Sequence, residues 1–247
     1  MAKSRLQDSP DTSGPKAIKG GTATQPTATP TLKNVKSNGT ISSFEIFNFC
    51  IERSKNLLKI HQAAHGKKAK PEKYLADAHR AAIVLSISAL DAFIRSFVVA
   101  RIRSLVGDKA ATLPGPLADK IKNFLKDDAL LEAARKDDLL DRVEKAFRKD
   151  FERQSFQGTR QITESLKLIG YDDVFHDIAI SAGQNEDTMR VCLDRFTDRR
   201  HVIAHRGDYD LSQNPPVEQH ITKEDSKKCI KVVSLVATHI NKLGSKP

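Results

Sequence analysis

Cysteine is scarce in this 247-residue chain, with only Cys50, Cys192 and Cys229, each set in a helical pattern and far from the others. An odd, dispersed set excludes a disulfide framework and a zinc knuckle. It predicts buried thiols in a reducing, cytoplasmic setting. No apolar run approaches the length of a membrane span, so no membrane partner is expected. The opening Met1-Ala2-Lys3-Ser4-Arg5-Leu6-Gln7-Asp8 leads into no apolar segment of the kind a secretory signal needs. Also missing are a glycine-rich phosphate loop, a nucleophile elbow and a Cys-x-x-Cys pair, which removes the commonest nucleotide-binding, hydrolase and redox signatures. No strand alternation and no internal repeat is found.

What is present describes a helix-rich globular chain, with 39% hydrophobic and 29% charged residues. The formal net charge of +10 points mildly toward nucleic acid. Residues 1–40 are rich in Pro, Thr, Ser, Gly and Lys and lack a periodic apolar pattern. They are expected to form a disordered basic tail, and residues 41–247 a single helical domain.

From Ser42 onward the apolar period is helical. Ser43 is expected to cap a helix carrying Phe44, Phe47, Cys50, Ile51 and Leu58 and ending near His65-Gly66. A basic loop, Lys67-Lys68-Ala69-Lys70-Pro71, leads to a long helix over about Glu72–Val106. The centre of that helix, Ala81 to Ile94, is apolar or small on almost every face, so it reads as the spine of the fold. Past Gly107 and Pro114-Gly115-Pro116, helices are expected near Leu117–Phe124 and Ala129–Phe151. Two short ones follow, and then a helix over Glu186–His205 stopped by Gly207. A loop with Pro215-Pro216 precedes the closing helix, which starts at Thr222.

The chemistry concentrates at Arg200-His201-Val202-Ile203-Ala204-His205. It puts a permanent cation and two imidazoles at the end of an amphipathic helix whose apolar stripe is Met189, Cys192, Leu193, Phe196 and Ile203. Arg200 falls within that stripe, and a guanidinium aimed inward is costly unless it meets an anion or acceptor. A cation and a histidine in a last helical turn also suit the helix dipole without any further role. Five residues of ideal helix rotate about 140° past a full turn, so Arg200 and His205 do not share a face. They would have to cooperate at a frayed helix end or across a two-fold interface.

His201 and His205 stand at a spacing that suits a metal, but Val202 occupies the place of the glutamate a zinc protease needs, and no third ligand is evident. Arg and His without metal suit RNA cleavage. The ribose 2′-hydroxyl is a built-in nucleophile, histidine serves as base and acid, and arginine holds the phosphate. DNA lacks that nucleophile.

The motif resembles that of HEPN domains, in which an Arg and a His are separated by four to six residues. The likeness continues in Ser88-Ala89-Leu90-Asp91-Ala92-Phe93-Ile94-Arg95, in Phe156-Gln157 through Leu168-Ile169-Gly170, and in Thr222–Leu243. Together these are similar to the RiboL-PSP-HEPN branch over about residues 42–243. The resemblance implies an all-α HEPN-like helical bundle that forms a homodimer with both motifs facing one cleft. It also implies a metal-independent endoribonuclease of a toxin–antitoxin or antiviral defence system, with RNA as substrate, an antitoxin protein as a further partner and no cofactor. Carried over, Arg200 and His205 match the catalytic pair and His201 the polar position between them. Arg199 also fits the looser spacing. Some HEPN domains are catalytically silent modules that bind RNA or a protein partner. Asp91 would either orient a catalytic group or pair with Arg95 four residues on. The other histidines show no constellation, and the charged stretch Lys136–Lys149 reads as a solvated face.

Overall fold

The computed structural model describes residues 41–65 and 75–244. The expected basic tail (1–40) and the loop at Lys67–Lys70 lie outside the described residues. Among the described residues there are nine helices and one small hairpin: α1 (Ser43–His65), α2 (Ala76–Gly107), α3 (Gly115–Phe124), α4 (Asp127–Arg135), α5 (Leu139–Phe151), α6 (Thr159–Lys167), α7 (Val174–Ala182), α8 (Glu186–Arg206), β1 (Tyr209–Asp210), β2 (Val217–Glu218) and α9 (Lys223–Leu243). The fold is an all-α bundle, as expected.

The spine is α2, which packs against α1, α5, α8 and α9. Ile83, Ile87, Leu90, Ile94, Val98 and Ile102 are sealed inside, because small and branched residues on successive turns let neighbouring helices close on several sides at once. By length and composition α2 is apolar enough to cross a membrane, which amends the expectation that no run is long enough. Most of that stretch is buried against its neighbours, as befits a core helix. On the α1 side the seam is aromatic, with the rings of Phe44 and Phe47 each 5.6 Å from that of Phe93.

Local chemistry sets the helix ends and corrects the sequence expectation at three places. Ser42, not Ser43, caps α1. Its hydroxyl accepts from the Glu45 N–H at 3.2 Å, while Glu45 accepts from the Ser42 N–H at 2.8 Å. The charged helix expected over Ala129–Phe151 is two helices, broken where Asp137 takes a left-handed φ of 55°. Finally, Tyr209–Asp210 pairs antiparallel with Val217–Glu218 where no strand was expected. Two-residue strands leave no alternation to read. At the other end of this hairpin α9 starts as expected, with Thr222 and Asp225 forming a reciprocal capping box.

Candidate active site

The helix α8 carries the site. Asn185 caps its start by accepting from the Thr188 N–H at 2.9 Å, an interaction typically contributing about 1 kcal/mol. Its inner face buries Met189, Leu193, Phe196 and Thr197. The helix runs unbroken to Arg206, so the motif does not lie on a frayed end. Gly207, at φ 58°, closes it in the left-handed conformation that glycine tolerates best.

The next residue, Asp208, is left-handed as well (φ 69°) and 0% exposed. A non-glycine residue holds that conformation only when its surroundings impose it. Here two guanidiniums do so. From α2, Arg80 donates Nε–H to Asp208 Oδ2 at 2.7 Å. From α8, Arg199 donates Nη2–H to the same oxygen at 2.7 Å and brings its Nε within 2.7 Å of Oδ1. Both arginines also hold the hairpin's far side. Arg80 reaches the Gln219 carbonyl at 3.0 Å and Glu218 at 2.9 Å. Arg199 reaches the Gln219 side-chain oxygen and the His220 carbonyl, each at 3.0 Å. Burial works against the Arg80 charge, but Asp208, Asp77 and Glu218 outweigh it and hold its pKa above the ordinary arginine value. The result is a buried node of two cations and one carboxylate that fastens the end of α8 to α2 and to the hairpin.

The two adjacent arginines therefore have opposite surroundings. Arg199 is consumed by the node. Arg200, about 100° further round the helix, is partly buried, and its Nε–H finds no acceptor among the described residues. A buried, unsatisfied guanidinium nitrogen costs free energy that an incoming anion or acceptor would recover. His201 and His205 are exposed, with rings stacked at 6.0 Å between centroids and 12° between planes. No group of three or more His, Cys, Asp or Glu residues with metal-ligand geometry occurs among the described residues.

Asp91 sits elsewhere in the bundle's polar framework. Its Oδ1 accepts from the Phe156 N–H at 2.6 Å and its Oδ2 from Arg95 at 3.1 Å, the pairing that the four-residue spacing anticipates. Arg95 also donates to the carbonyls of Phe151 and Gln154 and lies over the Phe156 ring. The clamp thus fixes the turn into α6. That turn in turn rests on α8, because Thr197 donates to the Gln157 carbonyl at 3.0 Å and Asp194 accepts from Thr159 N–H and Oγ1–H at 2.8 and 2.6 Å.

A cavity of about 370 Å³ lies on the other side of α8, lined by Arg195, Asp198, Val202 and His220 among others. It was not foreseen from sequence, since His220 and α8 are brought together only by the hairpin.

A family model described as RiboL-PSP-HEPN matches residues 48–243. The chain belongs to the RiboL-PSP-HEPN family. No curated protein and no solved structure gives a significant match. The matched span includes the spine α2, the motif helix α8, the Asp208 node and α9. Membership in the HEPN family points to RNA cleavage or RNA binding, and HEPN members commonly dimerise.

Proposed function

We propose that this RiboL-PSP-HEPN protein is a metal-independent endoribonuclease acting as a homodimer, with Arg200 and His205 as its catalytic pair and His201 supporting them. The observation that carries the reading is the contrast at one helix end. The Arg199 guanidinium is tied to Asp208, Gln219 and His220. The Arg200 guanidinium has no ion-pair or hydrogen-bond partner among the described residues and lies in the same helical turn as the exposed His201, whose ring stacks on that of His205. An intact helix keeps Arg200 and His205 about 140° apart around its axis, so one chain does not present both to the same phosphate. Two copies related by a two-fold axis do, with Arg200 of one meeting His205 of the other.

In that arrangement an imidazole takes the proton of the ribose 2′-hydroxyl as its oxygen attacks phosphorus. The bond from phosphorus to the 5′-oxygen breaks, and the leaving oxygen receives a proton from the acid form of a histidine. Arg200 stabilises the charge that builds on the phosphate oxygens. The products are a 2′,3′-cyclic phosphate and a 5′-hydroxyl, and no metal is needed to generate the nucleophile. A cytoplasmic role in a toxin–antitoxin or antiviral system, with an antitoxin protein as partner, fits such an activity.

The test is cleavage of end-labelled RNA in EDTA, with the product ends identified. Cyclic phosphate ends, resistance of RNA methylated at the 2′-oxygen, and recovered activity on mixing Arg200→Ala with His205→Ala subunits are expected. Loss of cleavage in EDTA with rescue by Zn²⁺ would favour the His201/His205 metal alternative. RNA binding without any cleavage would identify a silent module.

A further inference from the structure

The cavity beside α8 lies on the same side as His205. On the helical wheel Asp198, Val202 and His205 fall within about 60° of one another, while Arg200 faces away. From Asp198 to His205 is about 10 Å along the axis at 1.5 Å per residue, comparable to the span from a phosphate to the far edge of an adjoining base. The floor is apolar, formed by Ile83, Phe196, Val202 and Ile221. One wall carries the Arg195 guanidinium, lying 4.9 Å from the centroid of the Phe196 ring and tied to Asp225 at 3.0 Å. Two further lining groups, the Asp198 carboxylate and the His220 ring, are exposed at the mouth and have no hydrogen-bond or ion-pair partner among the described residues, so both are open to a ligand. A pocket of this volume, with an apolar floor and walls of Arg195, Asp198, Arg199, Gln219, His220 and Asp225, offers a planar heterocycle both a stacking surface and hydrogen-bonding groups.

We propose that this pocket receives an unstacked base next to the bond being cut, and that Asp198 selects guanine. This rests on the reading that the protein acts on RNA. A carboxylate only accepts hydrogen bonds, so it favours the base edge with two adjacent donors. Guanine presents N1–H and its exocyclic amino group side by side, matching both oxygens of Asp198. The Watson–Crick edges of adenine, uracil and cytosine each set an acceptor nitrogen or carbonyl beside their donor, which the carboxylate repels. His220, which also lines the pocket, supplies a ring N–H that can donate to the guanine O6. Arg195 provides a plane on which the base stacks.

The experiment separates this pocket from the catalytic assignment. Short uridine oligoribonucleotides carrying a single central guanosine, adenosine or cytidine are titrated against the Arg200→Ala protein by fluorescence anisotropy, so that binding is read without cleavage. The same set is then cut by the wild type. Guanosine is expected to be preferred by about tenfold or more, the scale of one good bidentate pair. Asp198→Asn and Asp198→Ala, made in the same background, should each reduce that preference to within about twofold, because the paired acceptors are gone. Equal binding of the three oligomers, or a guanosine preference that survives both substitutions, overturns the pocket assignment even if RNA is cut. A guanosine preference lost with Asp198, in a protein that cuts no RNA, sustains the pocket and refutes the catalytic reading instead.

Discussion

Exchanging Arg199 and Arg200 for alanine, one at a time, should separate stability from activity. Arg199→Ala removes four hydrogen bonds, to Asp208, to the Gln219 carbonyl and side chain, and to the His220 carbonyl. It also leaves a wholly buried carboxylate with one cation instead of two. Breaking a buried pair typically costs about 3–5 kcal/mol. Arg80 continues to hold Asp208 at 2.7 Å, so a loss of about 2–4 kcal/mol is expected for this position. At about 2–4 °C per kcal/mol for a domain of this size, the melting temperature should fall by roughly 5–15 °C. Arg200→Ala should behave differently. Its Nε–H has no acceptor, so truncation relieves a desolvation penalty of about 1–3 kcal/mol. It forfeits a similar amount of stem packing, and the melting temperature should stay within about 3 °C of wild type. Cleavage should show the reverse ranking. Loss of a transition-state cation costs on the order of 10²-fold or more in rate, whereas folded Arg199→Ala retains the greater part of its activity well below its melting point. Differential scanning calorimetry beside an RNA-cleavage assay reads both quantities. An unchanged melting temperature in Arg199→Ala would refute the node, and full activity in folded Arg200→Ala would refute the site.

Two further expectations follow from burial. Cys229 is wholly enclosed and burial pushes its thiol well above the usual range, while Cys50 and Cys192 are partly exposed. A thiol reagent at mildly alkaline pH should therefore label the latter two in the native protein and Cys229 only in denaturant, and equal labelling rates would contradict the packing. At the start of α9, burial acts to raise the Asp225 pKa, but hydrogen bonds from the Thr222 hydroxyl and N–H, with Arg195 and Arg199 nearby, hold it below the ordinary aspartate value. A depressed folded-state pKa stabilises above the unfolded value and is lost as pH falls through the folded one. The wild-type melting temperature should thus drop more steeply than that of Asp225→Asn between about pH 5 and 3, and parallel curves would deny the carboxylate this role.

Much of the architecture is legible in local chemistry. The stretch Ala81–Ile94 announces a core helix because no face of it is polar enough for water. Gly207 and the Thr222/Asp225 pair mark two boundaries of the site because left-handed closure and reciprocal capping need those residue types. Elsewhere local signals are degenerate. Ser42 and Ser43 both qualify as caps, and only the reach of Glu45 decides between them. Residues 129–151 are strong helix formers throughout, so nothing in their period reveals the break at Asp137. The hairpin escapes notice because side-chain contacts hold it. Asp208 and Glu218 are bound by Arg80 from a helix 128 residues earlier in the chain, and no alternation in two-residue strands encodes that.

The site divides along the same line. The proposal that an arginine and a histidine act at the end of α8 starts from their place in the pattern, but which of two neighbouring arginines is available depends on tertiary structure. Adjacent residues on a helix point about 100° apart, so one of the two can turn toward the hairpin while the other lies, partly buried, along the apolar stripe. Asp208 makes that choice. Placed just past the glycine stop and wholly buried, it draws Arg199 inward and leaves Arg200 with an unsatisfied N–H. The same node holds the last turn closed, which removes the frayed-end route by which one chain might have brought Arg200 to His205. With that route gone, the proposed pairing of Arg200 with His205 at one phosphate requires a second copy of the helix. The interaction that stabilises the end of α8 is thus also the argument for a two-fold site.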